Sequence, residues 1–365
     1  MLRSVAALAA ALSLAACLPP IVGGPVHELG PRPLVIAHRG ASAERPEHTL
    51  AAYRRAIEAG ADFIEPDLVI TKDGVLVARH ENEISGTTDV ANRPEFAARR
   101  RTQTIDGMEV TGWFTEDFTL AELKTLRAKE RLPQLRPHNA AFDGAEPIPT
   151  FAEVLAFAAE AGAARGRPVG VYPETKHPSH FAELGLALES ALLADLKAAG
   201  LDRADAPVFI QSFETANLKA LARRTPVRLI QLIAAEGGPP DQPGLTPEAM
   251  LSDKGLKAIA RYADGVGVEK TLILPRDAEG RSAAPSDLVA RAHAAGLLVH
   301  AWTFRPENYF LPAELRRGET ADPRFPALRG DDQAELRRVF FLGVDGVFAD
   351  DPGAAAAARE AAFPS

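Results

Sequence analysis

An alternation constrains this chain more than anything else in it. Eight short apolar runs, each long enough for one strand, are separated by stretches with helical spacing. The runs are LVIAHRG (34–40), FIEPDL (63–68), VGVYPETK (169–176), PVFIQSF (207–213), VRLIQLI (227–233), GVGVEK (265–270), LLVHAWTF (297–304) and DGVFAD (345–350). Between them lie helical segments such as HTLAAYRRAIEAG, ALESALLADLKAAG, ANLKALARRT and DLVARAHAAG. Strands that alternate with helices lie parallel, and eight such units close into an α/β barrel, the (β/α)8 TIM barrel. The alternative is an open doubly wound sheet, but no glycine-rich phosphate loop follows the first run. The 365 residues suffice for one such barrel with insertions or for two ordinary domains.

Two segments depart from the repeat. VITKDGVLVARHE (69–81) has a Lys72-Asp73-Gly74 turn between apolar runs, which predicts a β-hairpin folding back on the second strand. Pairing across that turn sets His80 near the level of Glu65 and Asp67. Residues from about 82 to 148 are polar and irregular, with one helical patch, and are expected to form an insertion over the barrel mouth. A smaller insertion is expected at about 306–333. The barrel domain then runs over 33–360.

The N-terminus lies outside that domain. Arg3 precedes an Ala/Leu-rich run to Ala16, too short for a convincing membrane span and laid out like a secretory signal. LAAC (14–17) resembles the lipobox of bacterial lipoproteins. On that reading 1–16 are a signal peptide, Cys17 is lipidated, and the Pro/Gly-containing stretch 17–32 is a tether. Plain secretion with an incidental Cys is the competing reading. Cys17 is the chain's single cysteine, so an exported protein would have no internal disulfide. The expected location is periplasmic, on a membrane through the lipid anchor. A net charge of −8 argues against a broad nucleic-acid footprint, which would need a basic stripe.

Charge interrupts several strand ends, where a buried core would not accept it unpaired. In a barrel, functional groups gather at the C-terminal ends of the strands. His38 and Arg39 close the first run. Glu65 and Asp67 are two apart and share a strand face, as do Glu174 and Lys176. Gln211 and Phe213 end the fourth run, Glu269 and Lys270 the sixth, Trp302 and Phe304 the seventh, and Asp350 the eighth. Three carboxylates at one mouth repel unless a cation joins them, and all-oxygen ligation suits Ca²⁺ or Mg²⁺. Two His and an Arg at the same mouth suit phosphate chemistry, with Arg39 as a planar fork on phosphate oxygens and the histidines moving protons. Each residue also has a plainer reading. Glu65 and Asp67 could face water at a strand edge, Lys176 could simply pair with Glu174, and His80 could be a surface residue. His48, His177, His180, His293 and His300 are read as structural.

HRGASAERPEHT (38–49), EPDLVITKDGVLVARHE (65–81), PETK, QSF, HAWTFR and DGVFAD together resemble the glycerophosphodiester phosphodiesterase family, and its periplasmic branch in particular. The likeness covers nearly the whole chain from about residue 34. It implies metal-dependent hydrolysis of deacylated phospholipids, such as glycerophosphocholine, to sn-glycerol 3-phosphate and an alcohol. It implies one divalent cation, Ca²⁺ ahead of Mg²⁺, held by Glu65, Asp67 and Glu174. His38 and His80 would be the acid–base pair, Arg39 the phosphate arginine and Lys176 a stabiliser of phosphate charge. Gln211, Phe213, Trp302 and Phe304 would shape the glycerol pocket, and Glu44 would orient the groups around them. Two positions depart from the pattern: Glu81 stands where the family often has Asp, and Ala349-Asp350 where it often has Thr-Asp. Other readings are a sphingomyelinase D-like enzyme on intact lipids, an inactive surface-binding lipoprotein, and a metal-dependent sugar isomerase on the same fold. Oligomeric state is not legible.

Overall fold

A computed structural model describes residues 32–364, so the expected signal peptide, Cys17 and most of the tether lie outside the described residues. The eight strands are β1 (Leu34–Ala37), β2 in two halves (Phe63–Ile64 and Asp67–Ile70), β3 in two halves (Gly170–Val171 and Glu174–Thr175), β4 (Phe209–Ser212), β5 (Arg228–Ile233), β6 (Gly265–Glu269), β7 (Leu298–Phe304) and β8 (Gly346–Ala349). Each pairs in parallel with the next, and β8 pairs with β1, so the sheet closes on itself. The breaks in β2 and β3 fall beside Pro66 and Pro173, which have no N–H for the ladder. Their carbonyls still accept, from Glu174 N at 3.0 Å and Gln211 N at 2.9 Å, so the barrel wall stays continuous.

A helix follows every strand: α1 (Leu50–Glu58), α2 (Phe151–Arg165), α3 (Leu188–Ala198), α4 (Thr215–Leu221), α5 (Asp253–Ile259), α6 (Leu288–Ala294), α7 (Asp332–Phe341) and α8 (Pro352–Ala362). Local signals set their ends. Thr49 caps α1 by accepting from Ala52 N, and Thr150 with Glu153 forms a capping box on α2. Along each strand, alternate residues face opposite ways. Leu34, Ile36, Phe63, Tyr172, Phe209, Ile230, Leu298 and Phe348 fill the barrel, while Val35, Ile64, Leu229, Val299 and Val347 meet the helices. Both faces are therefore apolar, which is why the runs read as nearly continuous. His300 sits among the interior aromatics with Nδ1 2.7 Å from the Tyr172 hydroxyl, and burial pulls its pKa down to about 4.

The excursion after β2 is an antiparallel hairpin, with Leu76–Ala78 running back along β2 and Leu68 opposite Ala78. Arg79 N continues the pairing to Asp67 O at 2.9 Å, and His80 follows at a cavity that Glu65 also lines. Residues 82–148 hold a second hairpin, Arg101–Ile105 with Met108–Gly112. Its turn residue Asp106 accepts from His177 at 2.7 Å, tying it to the loop after β3. Farther along, Arg131 and Arg136 reach the barrel mouth, and Glu307, from the 306–333 stretch, meets Arg136 there.

Candidate active site

The turn after β1 builds one side of the site. Arg39 takes a left-handed conformation (φ 61°) and Gly40 follows with φ 92°. A Cβ on Gly40 would stand 2.7 Å from the Ala52 side chain, so glycine lets α1 close against the turn. The turn aims the Arg39 backbone N–H at Glu65 Oε2, 3.1 Å away. Around the rim, Asp67 is in register with Glu174, and Glu174 with Gln211. Polar side chains from four successive strands thus converge.

Oxygens of Glu65, Asp67 and Glu174 lie within 4.8 Å of one another, all three buried. Burial, reinforced by its two acidic neighbours, pushes the Glu65 carboxyl well above its usual range. Burial also lifts Glu174, to about 7, against the opposing pull of Lys176, whose Nζ lies 2.7 Å from Glu174 Oε1. Burial alone would raise Asp67 too, but Lys176, His48 and Arg39 outweigh it and hold Asp67 well below the carboxylate range. Asp67 Oδ1 and Gln211 Oε1 are buried oxygens with no hydrogen-bond donor. Three clustered carboxylates and buried acceptors without donors fit a hard divalent cation.

Two histidines face this cluster, and each is backed by a carboxylate. His38 Nδ1 is 2.6 Å from Asp350 Oδ1, and Asp350 Oδ2 receives Arg136 at 2.5 Å and Arg305 at 3.1 Å. His80 Nδ1 is hydrogen-bonded to Glu81, which Arg131 grips at 2.6 and 2.8 Å. Burial and the Arg39 charge bring His38 down to about 4 despite Asp350; burial, Arg39 and Lys176 bring His80 to about 3. Both rings are neutral near pH 7. With the proton held on Nδ1 by a carboxylate, Nε2 is the nitrogen left to accept one from substrate. The two histidines share a cavity of ≈ 90 Å³ with Arg39, Lys176, Glu65 and Glu174. Its apolar wall includes Phe213 and Trp302, which meet edge to face at 5.8 Å.

The structure thus brings together His38, His80, Arg39, Glu65, Asp67, Glu174, Lys176, Gln211, Phe213 and Trp302. Two expectations need correction. Phe304 is turned away from the cavity, into the layer between sheet and helices, with Lys270 Nζ 5.2 Å from its ring. The pairing of β7 with β8 shifts register between Ala301 and Phe304, so simple two-residue alternation from Trp302 fails there. Glu44 pairs with Arg55 on α1 at 2.6 Å. The orienting carboxylate is three residues on: Glu47 joins Arg39 Nη1 at 3.1 Å to Arg131. His48, read as structural, donates to Asp67 of the acidic cluster across 3.0 Å. Glu47 stood inside the quoted signature, whereas Arg131 and Arg136 lie in irregular sequence that carries no periodic signal.

A closed barrel with two carboxylate-backed histidines, a buried arginine and a carboxylate cluster at its mouth is the arrangement of a phosphodiester hydrolase. Residues 38–354 match the glycerophosphoryl diester phosphodiesterase family, and the chain belongs to it. A glycerophosphodiester phosphodiesterase of Arabidopsis thaliana is 39% identical over 334 residues, covering 88% of this chain and 84% of that one. One from Haemophilus influenzae is 30% identical over 263 residues, covering 64% and 68%. Among solved structures, a putative glycerophosphoryl diester phosphodiesterase from Silicibacter pomeroyi superposes with a TM-score of 0.61 at 23% identity, covering 90% of this chain and 94% of that one. An Oleispira antarctica phosphodiesterase, solved with the product sn-glycerol-3-phosphate, gives 0.57 at 21% identity, covering 90% and 97%. The chain is a glycerophosphodiester phosphodiesterase on a TIM barrel, as the sequence motifs implied.

Proposed function

We propose that this enzyme hydrolyses deacylated phospholipids, glycerophosphocholine and glycerophosphoethanolamine among them, to sn-glycerol 3-phosphate and the free alcohol. The observation that carries this reading is the pair of neutral, carboxylate-backed histidines sharing one cavity with Arg39 and the acidic cluster. The product named for the Oleispira structure supports the same chemistry.

Arg39 and Lys176 bind and orient the phosphodiester. The Phe213–Trp302 wall seats the glycerol carbons and keeps water from that side. One histidine accepts a proton at Nε2 from the attacking oxygen; the other, charged at Nε2 in the substrate complex because the bound phosphodiester anion raises its pKa, donates that proton to the departing alcohol. The attacking oxygen is water, or the glycerol 2-hydroxyl, in which case a cyclic phosphate forms first and water then opens it to sn-glycerol 3-phosphate. Asp350 and Glu81 stabilise whichever imidazolium forms. A divalent cation, Ca²⁺ before Mg²⁺, held by Glu65, Asp67 and Glu174 would neutralise a phosphoryl oxygen and the charge that develops on it.

The test is release of glycerol 3-phosphate from glycerophosphocholine, with EDTA and then with Ca²⁺ or Mg²⁺ restored. Loss on chelation and recovery with one ion is expected. Activity indifferent to EDTA would remove the cation from this scheme. The Arg3-to-Cys17 segment supports export and lipid anchoring at Cys17, in which case Cys17→Ser moves the protein from the membrane to the soluble fraction. An unchanged distribution would count against the anchor.

A further inference from the structure

We propose that Arg131 and Arg136 are positioning residues for hydrolysis, each holding the carboxylate that backs one of the two active-site histidines. This rests on His38 and His80 being the proton-transfer pair. The two arginines stand five apart in the irregular stretch between the hairpin over 101–112 and α2, yet they reach opposite sides of the site. Arg131 forks onto Glu81 through Nη1 and Nη2, at 2.8 and 2.6 Å. The same guanidinium takes Glu47 through Nε and Nη2, at 2.8 and 2.7 Å. Glu47 in turn holds Arg39. One side chain therefore fixes the partner of His80 and the partner of the phosphate arginine together.

Arg136 performs the matching task for His38. Its Nη2 meets Asp350 Oδ2 at 2.5 Å, its Nε meets Glu307 at 2.6 Å, and its Nη1 donates to Ser42 O at 2.9 Å. Ser42 Oγ donates to the backbone carbonyl of His38 at 2.8 Å. Arg136 thus grips both the side-chain partner and the backbone surroundings of His38. Such contacts need the planar five-donor fork of arginine, which lysine lacks. A carboxylate free to rotate would let the imidazole leave the orientation in which Nε2 faces substrate, and a displacement of about 1 Å can lower a rate by about 10²-fold. The insertion is then part of the catalytic apparatus, although neither arginine lines the cavity that His38 and His80 share.

The asymmetry between the two contacts gives the test. Steady-state kinetics on glycerophosphocholine with saturating Ca²⁺ would compare the full chain with Arg131→Gln, Arg131→Lys and Arg136→Gln. Both glutamine variants are expected to lose about 10²-fold in kcat. Only Arg131→Gln should also raise KM, because only Arg131 steadies Arg39. Arg131→Lys should recover KM, since it keeps a cation beside Glu47, but not kcat. Thermal melts identify folded variants. If Arg136→Gln fails to fold, the double variant Arg136→Gln/Glu307→Gln, which leaves no carboxylate stranded at Glu307, takes its place. Folded glutamine variants with wild-type kcat would overturn the proposal. Absence of turnover by the wild type, on any glycerophosphodiester, would instead sink the hydrolase reading and this proposal with it.

Discussion

His48 Nε2 stands 3.0 Å from Asp67 Oδ2, and its Nδ1 meets the Tyr53 hydroxyl at 2.9 Å. Burial keeps the ring neutral against the pull of Asp67. A neutral imidazole with Nε2–H donating to Asp67 occupies Oδ2 and leaves Oδ1, which has no donor, as the free oxygen of that carboxylate. His48 therefore sets the orientation of a proposed cation ligand without joining the ligand set. His48→Ala is expected to weaken Ca²⁺ binding by about 10- to 100-fold, the usual effect of removing such a support. Calorimetric titration of the purified protein reads this directly. Unchanged affinity would leave His48 a core histidine and no more.

Cation binding should depend on pH through the same cluster. Burial raises the Glu174 pKa to about 7 and lifts Glu65 well above its usual range, so the cation-free site takes up protons as pH falls through neutrality. A cation needs those carboxylates ionised and must displace the protons. Affinity for Ca²⁺ is expected to fall as pH drops below about 7, by up to about tenfold per unit for each proton released. Proton release measured in two buffers of different ionisation enthalpy would give the number displaced. A pH-independent affinity would mean that the three carboxylates do not bind the ion.

The histidines predict a different limb. The base must be neutral, and burial with the neighbouring cations keeps His38 neutral down to about 4 and His80 to about 3. With cation saturating, the acid-side loss of kcat/KM, which the base sets, should therefore be absent at pH 6.5 and begin only as pH approaches about 4. With cation limiting, the fall should begin near 7, where Glu174 takes up its proton. Asp350→Asn, which removes the charge behind His38, is expected to lower kcat by about 10²-fold or more. Two superimposable profiles at high and low cation would contradict this separation.

The barrel was legible because its eight strands are buried on both faces, so each reads as an apolar run, and Pro66 and Pro173 did not obscure them. The ends of those strands were legible for the same reason: His38, Glu65, Asp67 and Glu174 are ionisable groups where apolar residues belong. Legibility failed where position comes from tertiary contact rather than from strand period. Phe304 left the mouth because the β7–β8 register shifts before it. Glu44 and Glu47 both sit in one polar loop, and only the folded turn decides that Glu47 meets Arg39 while Glu44 meets Arg55. Arg131 and Arg136 come from a segment without periodicity, and their partners Glu47, Asp350 and Glu307 are distant in sequence.

Arg79 offers a stability prediction that also reaches the site. It is fully buried, just before His80, and burial brings its pKa down to about 10, leaving it charged at neutral pH. Its guanidinium donates to the carbonyls of Ala78, Thr87, Glu47 and His48, at 2.6 to 3.2 Å. One side chain thus pins the start of the insertion and the turn after β1 to the hairpin that carries His80. Arg79→Met fills similar volume but leaves those carbonyls without their donor, and each buried unsatisfied group costs about 1–3 kcal/mol. Local relaxation and water would satisfy some of them, so a net loss of about 3 kcal/mol is expected, with Tm lower by about 6 °C or more. Arg79→Lys should recover little, because one ammonium cannot span four carbonyls in the plane of a fork. Below the melting transition, kcat should fall as well, since Glu47 and His48 lose the anchor of their backbone. Thermal unfolding followed by circular dichroism, with activity assayed at a temperature where each variant is folded, checks both effects. A melting temperature within a degree of wild type would show that Arg79 is not the pin its contacts describe.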